Sequence, residues 1–123
     1  MIENLRCGID IEDIARFQKF YHSKNDNFLK RVFTSKELKY CFGKVKPAEH
    51  LAARFAAKEA FIKAMGGMRG FDYTDIEILT RKSGQPKLRF VRVPKLKVLV
   101  SLAHSPSSAA ALVIFKEGYL IKK

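Results

Sequence analysis

Carboxylates and basic side chains of suitable spacing are the residues of this 123-residue sequence that could do chemistry together. Glu59 lies within residues 51–66 (LAARFAAKEAFIKAMG), an alanine-rich stretch that predicts a helix ending at the Gly66-Gly67 pair. Helical spacing puts Lys58 in the apolar stripe of this helix, Glu59 at its edge and Lys63 one turn further on. Charges that interrupt a well-formed apolar face point to a functional site.

Asp10 is the second candidate carboxylate. Residues 6–10 (RCGID) are predicted to form a short strand that ends at Asp10, and residues 11–21 (IEDIARFQKFY) to form a helix. Asp10 could then be an N-cap whose side chain satisfies free backbone N–H groups. A carboxylate at the end of a strand is also a common place for a ligand-facing or metal-facing group, and Asp10 taken alone does not decide between the two.

The chemistry follows from bringing these groups together. Two converging carboxylates repel each other unless a cation lies between them. Mg²⁺ takes one or two carboxylates and completes its shell with water and substrate phosphate. Positive charge for a phosphate would come from four side chains: Lys58, Lys63, Arg54 and His104. An ordinary ion pair between Glu59 and Lys63, and a loop histidine bonded to backbone, are the alternatives.

No GxSxG, HExxH or P-loop motif occurs in the sequence. Two acids with several cations and no nucleophile motif indicate phosphoryl or pyrophosphate chemistry rather than acyl transfer.

The remaining segments predict a mixed scaffold. Thr34-Ser35-Lys36-Glu37 has the pattern of a capping box, which predicts a helix from about Ser35 to Gly43. Alternating or continuous apolar patterns predict strands over residues 76–81, 87–93, 96–103 and 109–116. The first two strands flank a turn at 82–86 and form a hairpin, and the last is apolar on both faces, as in a central strand. We predict one α+β domain over residues 1–123, with a long central helix packed on a mainly antiparallel sheet.

Composition limits the possible partners and compartments. The net charge of +12, from 24 basic and 12 acidic residues, favours polyanions: nucleic acid, an anionic membrane, a phosphorylated ligand or an acidic protein. No apolar run is long enough to cross a membrane, and the N-terminus lacks a signal-peptide pattern. Cys7 and Cys41 predict reduced thiols rather than a disulfide framework or a zinc site. We therefore expect a cytoplasmic protein.

Four segments, in order and over almost the whole chain, resemble the bacterial holo-acyl-carrier-protein synthases of the 4′-phosphopantetheinyl transferase superfamily: GIDIEDIARF, FLKRVFTSKEL, LAARFAAKEAFIKAMG and SLAHSPSSAAALV. The part RFAAKEAFIKAMG is highly specific. The resemblance implies the family's fold and its reaction in fatty acid biosynthesis. In that reaction 4′-phosphopantetheine moves from coenzyme A to a serine of apo acyl carrier protein, and adenosine 3′,5′-bisphosphate is released. The resemblance also implies dependence on Mg²⁺ and a homotrimer with an active site at each subunit interface.

The same resemblance implies roles for individual residues. Asp10 and Glu59 match the metal ligands of the family, and Lys63 matches a lysine that neutralises pyrophosphate charge. The carrier serine attacks, and its proton passes to Glu59 or to a metal-bound water. The resemblance further implies a coenzyme A site lined by Arg54, Lys58, Gly66, Gly84, Pro86 and His104. It implies a carrier-docking surface that contains Arg16, Phe28, Lys30 and Arg31.

Some positions depart from the family pattern. Ser83 and Gln85 replace the asparagine and the lysine of the family's N-G-K-P turn near the adenine, and Gly67 stands where the family has a serine or threonine. Gly67 therefore lacks the hydroxyl that a serine or threonine would offer.

Two competing functions remain. A non-catalytic nucleic-acid-binding module would fit the isoelectric point near 9.9, but it leaves the charged pair Lys58-Glu59 on an apolar face unexplained. The second competing function is a transferase domain dedicated to a multidomain synthase. Our prediction is an enzyme whose partners are coenzyme A and an acidic carrier protein, with neither nucleic acid nor membrane as a partner.

Overall fold

The computed structural model of the chain describes residues 4–20 and 26–119. Its strands are β1 (Leu5–Asp13), β2 (Ile76–Thr80), β3 (Pro86–Phe90), β4 (Val98–His104) and β5 (Ser108–Lys116). Its helices are α1 (Ala15–Gln18), α2 (Asn27–Val32), α3 (Ser35–Phe42) and α4 (Pro47–Met65). Two short 3-10 turns lie at Tyr73–Asp75 and Glu117–Tyr119. No helix among these residues is long and apolar enough to cross a membrane.

The strands form two antiparallel units. β1, β5 and β4 make a three-stranded sheet in that order, and β2 pairs with β3 as a hairpin. β5 is therefore the central strand of its sheet, as its apolar sequence predicts. The turn of the hairpin contains Gly84 at a φ of +93°, a conformation that favours glycine. The predicted α+β class with mainly antiparallel pairing is confirmed.

The long helix α4 is the centre of the fold. Pro47 occupies its first turn, and Gly66 ends it with a φ of +86°, a left-handed C-terminal cap. Its alanines let neighbouring elements approach closely, and most of its 19 residues are buried. One core lies between α4, the sheet and the hairpin around Phe61. A second core joins α4 to α1, α2 and α3 around Phe17.

β1 crosses α4 at very short range because Gly8 has no side chain. A Cβ atom at Gly8 would lie 1.8 Å from the carbonyl oxygen of Ala60. Side chains of a strand alternate between its faces, so Asp10 and Glu12 lie on the same side of β1 as Gly8. This contact between β1 and α4 fixes where those carboxylates meet the helix.

The predicted boundary at Asp10 is wrong. β1 continues to Asp13, and Asp10 pairs with Ala111 in the middle of the strand. It therefore does not act as a helix N-cap, and the helix predicted from residue 11 is reduced to α1. Hydrogen bonding with β5, in register through Asp13 and Ser108, overrides the helical spacing of the apolar residues. Tyr21, at the end of the predicted helix, lies outside the described residues.

The predicted capping box is confirmed. Thr34 Oγ1 accepts a hydrogen bond from the backbone N–H of Glu37, and the Glu37 carboxylate accepts one from the backbone N–H of Thr34. α3 begins at Ser35, directly after the N-cap Thr34, and ends at Phe42 with Gly43 as its C-cap. Glu37 is almost fully buried, so its carboxylate also faces the interior of the protein.

Candidate functional site

Asp10 lies beside the C-terminal half of α4. Its side chain is 12% exposed, and its Oδ1 lies 3.2 Å from Nζ of Lys63. Lys63 also donates to the backbone carbonyl of Ile9 at 3.0 Å. The other carboxylate oxygen of Asp10, Oδ2, is buried and has no hydrogen-bond partner in the described part of the chain. A buried carboxylate oxygen without a donor is costly, so this atom is suited to a cation.

Glu59 precedes Lys63 by one turn, on the same side of α4. Its Oε2 accepts a hydrogen bond from the hydroxyl of Tyr73 at 2.5 Å. The ring of Tyr73 stacks on Phe55, with ring centroids 5.8 Å apart. Burial, followed by the hydrogen bond to Glu59, raises the pKa of Tyr73 to about 12, so its hydroxyl stays a donor. Lys63 forms its ion pair with Asp10. The alternative interpretation, an ordinary ion pair between Glu59 and Lys63, therefore does not describe the contacts of Lys63.

A third carboxylate, Glu12, lies beside Asp10 and was not predicted. It follows Asp10 on the same face of β1 and forms an ion pair with Arg16 at 2.9 Å. Burial and then the neighbouring Asp10 carboxylate raise the pKa of Glu12 to about 7, against the lowering effect of Arg16. The signal for Glu12 was its spacing of two from Asp10, which puts both carboxylates on one face of a strand. The helix predicted from residue 11 concealed this signal. We call Asp10, Glu12 and Glu59 the acidic site.

The acidic site fits a divalent cation that brings further ligands with it. Among the described residues, no three acidic, histidine or cysteine side chains form a ready-made metal group. Mg²⁺ seldom uses such a cage, because it keeps water and substrate phosphate in its shell. The unpartnered Oδ2 of Asp10 and the carboxylate of Glu59 are oxygen ligands of the right kind.

The N-terminal half of α4 carries a group of basic side chains around Tyr40. The Arg54 guanidinium lies 4.2 Å from the centroid of the Tyr40 ring, and the Lys44 ammonium lies 4.6 Å from it. His50 meets the same ring edge-on at 5.8 Å. His104 lies close enough to contribute to the lowered pKa of His50. We call Lys44, His50, Arg54 and His104 the basic cluster.

Two side chains in this region, His50 and Tyr40, have lowered pKa values. Burial, then Arg54 and Lys44, lower the pKa of His50. A hydrogen bond with Thr80, together with the charges of Arg54 and Lys44, lowers the pKa of Tyr40 although burial opposes this. The positive charges of Arg54 and Lys44 contribute to both shifts, although burial is the largest cause for His50 and the hydrogen bond with Thr80 is the largest for Tyr40. The spacing of four between His50 and Arg54 could have predicted their shared helix face.

The hairpin reaches the basic cluster through Arg54. This residue is 3% exposed, and its Nη2 donates to Thr80 Oγ1 at 2.7 Å. Thr80 pairs with Pro86 at the base of the turn that contains Gly84. Arg54, His104, Gly84 and Pro86, all predicted coenzyme A residues, are thus on one side of the molecule. Their contacts with a ligand stay predictions.

The basic cluster and the acidic site lie on different sides of α4. Five residues separate Arg54 from Glu59, which is about 140° around the helix axis, and Arg54 and Lys63 are about 180° apart. Gly66 lies on the side of Lys63, one turn beyond it. The structure therefore divides the predicted coenzyme A residues into two groups.

The structure does not support the predicted contact between Lys58 and coenzyme A. Its ammonium is fully buried and lies 2.8 Å from the carboxylate of Glu37, which is also fully buried. Lys58 further donates to the backbone carbonyls of Tyr73 and Ile76. Burial lowers the pKa of Lys58, and Glu37 opposes that shift. These contacts of Lys58 join α3 and β2 to α4.

The predicted docking residues surround a groove next to the acidic site. Phe28, Lys30 and Arg31 line a cavity of about 580 Å³ whose wall also contains Tyr73. The Arg16 guanidinium lies 6.0 Å from the centroid of the Phe28 ring. All four predicted residues are therefore on one surface. Tyr73 joins this groove to Glu59, because its hydroxyl bonds the Glu59 carboxylate.

Comparison with known proteins identifies the family. The profile of the 4′-phosphopantetheinyl transferase superfamily matches residues 6–115. A holo-[acyl-carrier-protein] synthase of Geotalea daltonii is 41% identical over 120 residues, covering 89% of this chain and 96% of the relative. The same enzyme of Chlamydia trachomatis is 44% identical over 117 residues, covering 87% and 95%. The chain belongs to the holo-[acyl-carrier-protein] synthases of the 4′-phosphopantetheinyl transferase superfamily.

Solved structures agree with this assignment. A holo-(acyl-carrier-protein) synthase from Bacillus anthracis, in complex with CoA (3′,5′-ADP), has a TM-score of 0.77 and 32% identity, covering 90% of this chain and 95% of that one. The Helicobacter pylori synthase in complex with coenzyme A has a TM-score of 0.76 and 27% identity, covering 89% and 99%. The predicted family, fold and enzyme class are confirmed. These matches favour the enzyme over the nucleic-acid-binding module.

Proposed function

We propose that this chain transfers 4′-phosphopantetheine from coenzyme A to a serine of apo acyl carrier protein, in a Mg²⁺-dependent reaction of fatty acid biosynthesis in the cytoplasm. The products are holo carrier protein and adenosine 3′,5′-bisphosphate. Family membership over nearly the whole chain supports the reaction. The observation that carries the metal dependence is that Oδ2 of Asp10 is buried and has no hydrogen-bond partner within residues 4–20 and 26–119. Asp10 lies beside Lys63, which follows Glu59 by one turn of α4.

The acidic site and its lysine account for the chemistry. Bound by Asp10 and Glu59, Mg²⁺ would supply charge neutralisation at the pyrophosphate of coenzyme A. The carrier serine oxygen forms a new bond to the phosphorus that bears pantetheine, and the bond from that phosphorus to the bridging oxygen breaks. Lys63 stabilises the negative charge that the leaving phosphate gains. Glu59, or a water held by it, accepts the serine proton.

The docking groove accounts for the protein substrate. Acyl carrier proteins are acidic, and Arg16, Lys30 and Arg31 add positive charge beside the exposed part of Phe28. Such charges raise the encounter rate and set the orientation of the partner more than they add affinity. The proximity of the groove to Glu59, through Tyr73, supports delivery of the serine to this carboxylate.

We further propose that the active unit is a homotrimer with active sites between subunits. The basic cluster and the acidic site lie on different sides of α4, and this separation supports a coenzyme A site that groups from two copies complete together. The outer face of the three-stranded sheet supports self-association, since it exposes large apolar side chains: Ile9 (64%), Ile11 (67%), Leu99 (71%) and Leu112 (36%). Exposed apolar patches of this kind mark interfaces.

Mass spectrometry tests the reaction. Apo acyl carrier protein is incubated with coenzyme A, Mg²⁺ and the purified chain, and we expect a serine-linked gain of the phosphopantetheine mass. Chelation of Mg²⁺, or Glu59→Gln, should abolish the gain, while the variant keeps its fold by circular dichroism. No gain above a blank without the chain would contradict the proposed function. Salt-sensitive RNA binding without turnover would favour the nucleic-acid-binding module.

A further inference from the structure

Tyr73 holds one oxygen of the central carboxylate of the site. Its hydroxyl donates to Glu59 Oε2 at 2.5 Å, and the short distance is typical of an O–H donor bonded to an ionised carboxylate. The Tyr73 ring is fixed as well, because it stacks on Phe55 at 5.8 Å with an interplanar angle of 26°. The hydroxyl is thus presented to Glu59 by a ring that is itself held in place.

The backbone around Tyr73 is fixed to the same helix. Its carbonyl accepts a hydrogen bond from the buried Lys58 ammonium at 3.0 Å. Lys58 is the residue directly before Glu59, so adjacent side chains of α4 hold the main chain and the side chain of Tyr73. A residue held at both points has little freedom to leave Glu59, which is what a positioning group requires.

We infer that Tyr73 is a positioning residue that orients Glu59 for the divalent cation, an inference that rests on the proposed function. The Tyr73 hydroxyl binds Oε2 and leaves Oε1 available to the cation. Outer groups that orient a ligand in this way typically contribute ten- to a hundredfold to metal affinity. Tyr73 also lines the docking groove with Phe28, Lys30 and Arg31, so the same ring bounds the path of the carrier serine.

Tyr73→Phe is the variant that tests this, because it removes the hydroxyl and keeps the stacked ring. Binding of Mn²⁺, a paramagnetic substitute for Mg²⁺, is measured by electron paramagnetic resonance on the chain with saturating coenzyme A and without carrier protein, so that no turnover occurs. We expect the Mn²⁺ affinity to fall about tenfold or more, with thermal unfolding in the absence of metal unchanged. In turnover assays, the KM for coenzyme A at saturating Mg²⁺ should also be unchanged.

Glu59→Gln supplies the matched background. If Tyr73 acts through Glu59, adding Tyr73→Phe to Glu59→Gln should weaken Mn²⁺ binding no further than Glu59→Gln alone. Mn²⁺ affinity of Tyr73→Phe within twofold of wild type would overturn the inference, as would full additivity of the two changes. Wild-type chain that neither binds Mn²⁺ with coenzyme A nor modifies carrier protein would overturn the proposed function itself. If the wild-type chain modifies carrier protein and Tyr73→Phe binds Mn²⁺ as tightly as wild type does, the inference about Tyr73 is overturned and the proposed function stands.

Discussion

Lys58 and Glu59 are adjacent in sequence and have separate tasks. Both interrupt the apolar pattern of α4, so the sequence assigned both to the site. Lys58 points to α3, where Glu37 receives it in the interior. Glu59 is half-buried and points to Tyr73. A lysine on an apolar face indicates either a ligand contact or a buried partner, and that partner lies 21 residues away in the chain. Its identity depends on tertiary packing that helical spacing does not encode.

Lys58→Met should destabilise the fold without weakening coenzyme A binding. The change leaves the buried Glu37 carboxylate without its cation, and breaking one side of a buried pair costs about 3–5 kcal/mol. Urea unfolding measures this loss. Lys63→Met is the matched control, since the Lys63 side chain is 57% exposed and its loss should reduce turnover with little change in stability. If folded Lys58→Met had a raised KM for coenzyme A, the predicted contact between Lys58 and coenzyme A would be supported after all.

His50 should make the stability of the protein depend on pH below neutrality. Its pKa in the folded state is lowered by burial and by Arg54 and Lys44, so the unfolded chain binds the proton more readily. The contribution of His50 is then complete above its unfolded pKa of about 6.5 and is lost as pH falls through the lower folded value. From pH 7.5 to 5.5, the free energy of unfolding should fall more in wild type than in His50→Gln. Equal losses would contradict the assigned shift.

At the scale of elements, β1 and α4 form the frame of the acidic site. The sequence predicted α4, the hairpin, the capping box and the central strand because each follows from a local pattern or a cap. It misplaced the end of β1 because Ile11, Ile14 and Phe17 fit a helical period while the pairing with β5 is non-local. The same error hid Glu12, whose carboxylate joins Asp10 only when residue 12 is in a strand.

Gly8→Ala tests the contact between these two elements. The added methyl would lie 1.8 Å from the carbonyl oxygen of Ala60, so β1 must move away from α4 and take Asp10 with it. We expect a loss of at least about 3 kcal/mol in the free energy of unfolding, the upper end of what overpacking usually costs, and weaker binding of Mn²⁺.

Gly118→Ala is the control for this substitution. A Cβ atom at Gly118 would meet nothing within 4 Å, so its stability and Mn²⁺ affinity should match those of wild type. If Gly8→Ala were as stable as Gly118→Ala, close contact at Gly8 would not be what holds Asp10 in place.

At the scale of the whole molecule, charge and apolar surface are arranged for partners. The net charge of +12 predicted a polyanionic partner without identifying it, and family membership narrows that partner to a carrier protein. The sequence could not assign the exposed apolar face, because Ile9, Ile11, Leu99 and Leu112 come from three separate strands that only the sheet brings together. The linear pattern did contain one further signal, because Arg54 and Lys63 are nine residues apart and must therefore lie on opposite sides of any helix that contains both.

The separation of the acidic site from the basic cluster leads to a testable prediction about the assembly. If the acidic site of one copy and the basic cluster of another hold the same coenzyme A, two inactive variants should restore each other. Glu59→Gln removes the acidic function, and the double substitution Lys44→Ala/His104→Ala weakens the basic cluster at exposed positions. Each variant alone should lose most of its transfer activity.

Mixed assemblies of the two variants, formed by co-expression under separate affinity tags, should recover part of the wild-type activity. The recovery arises because some interfaces pair an intact acidic site with an intact basic cluster. Adding Ile11→Lys to both variants puts a charge on the apolar face, and it should abolish the recovery together with assembly, as followed by light scattering. Mixed assemblies that stay inactive would mean that each copy completes its own site.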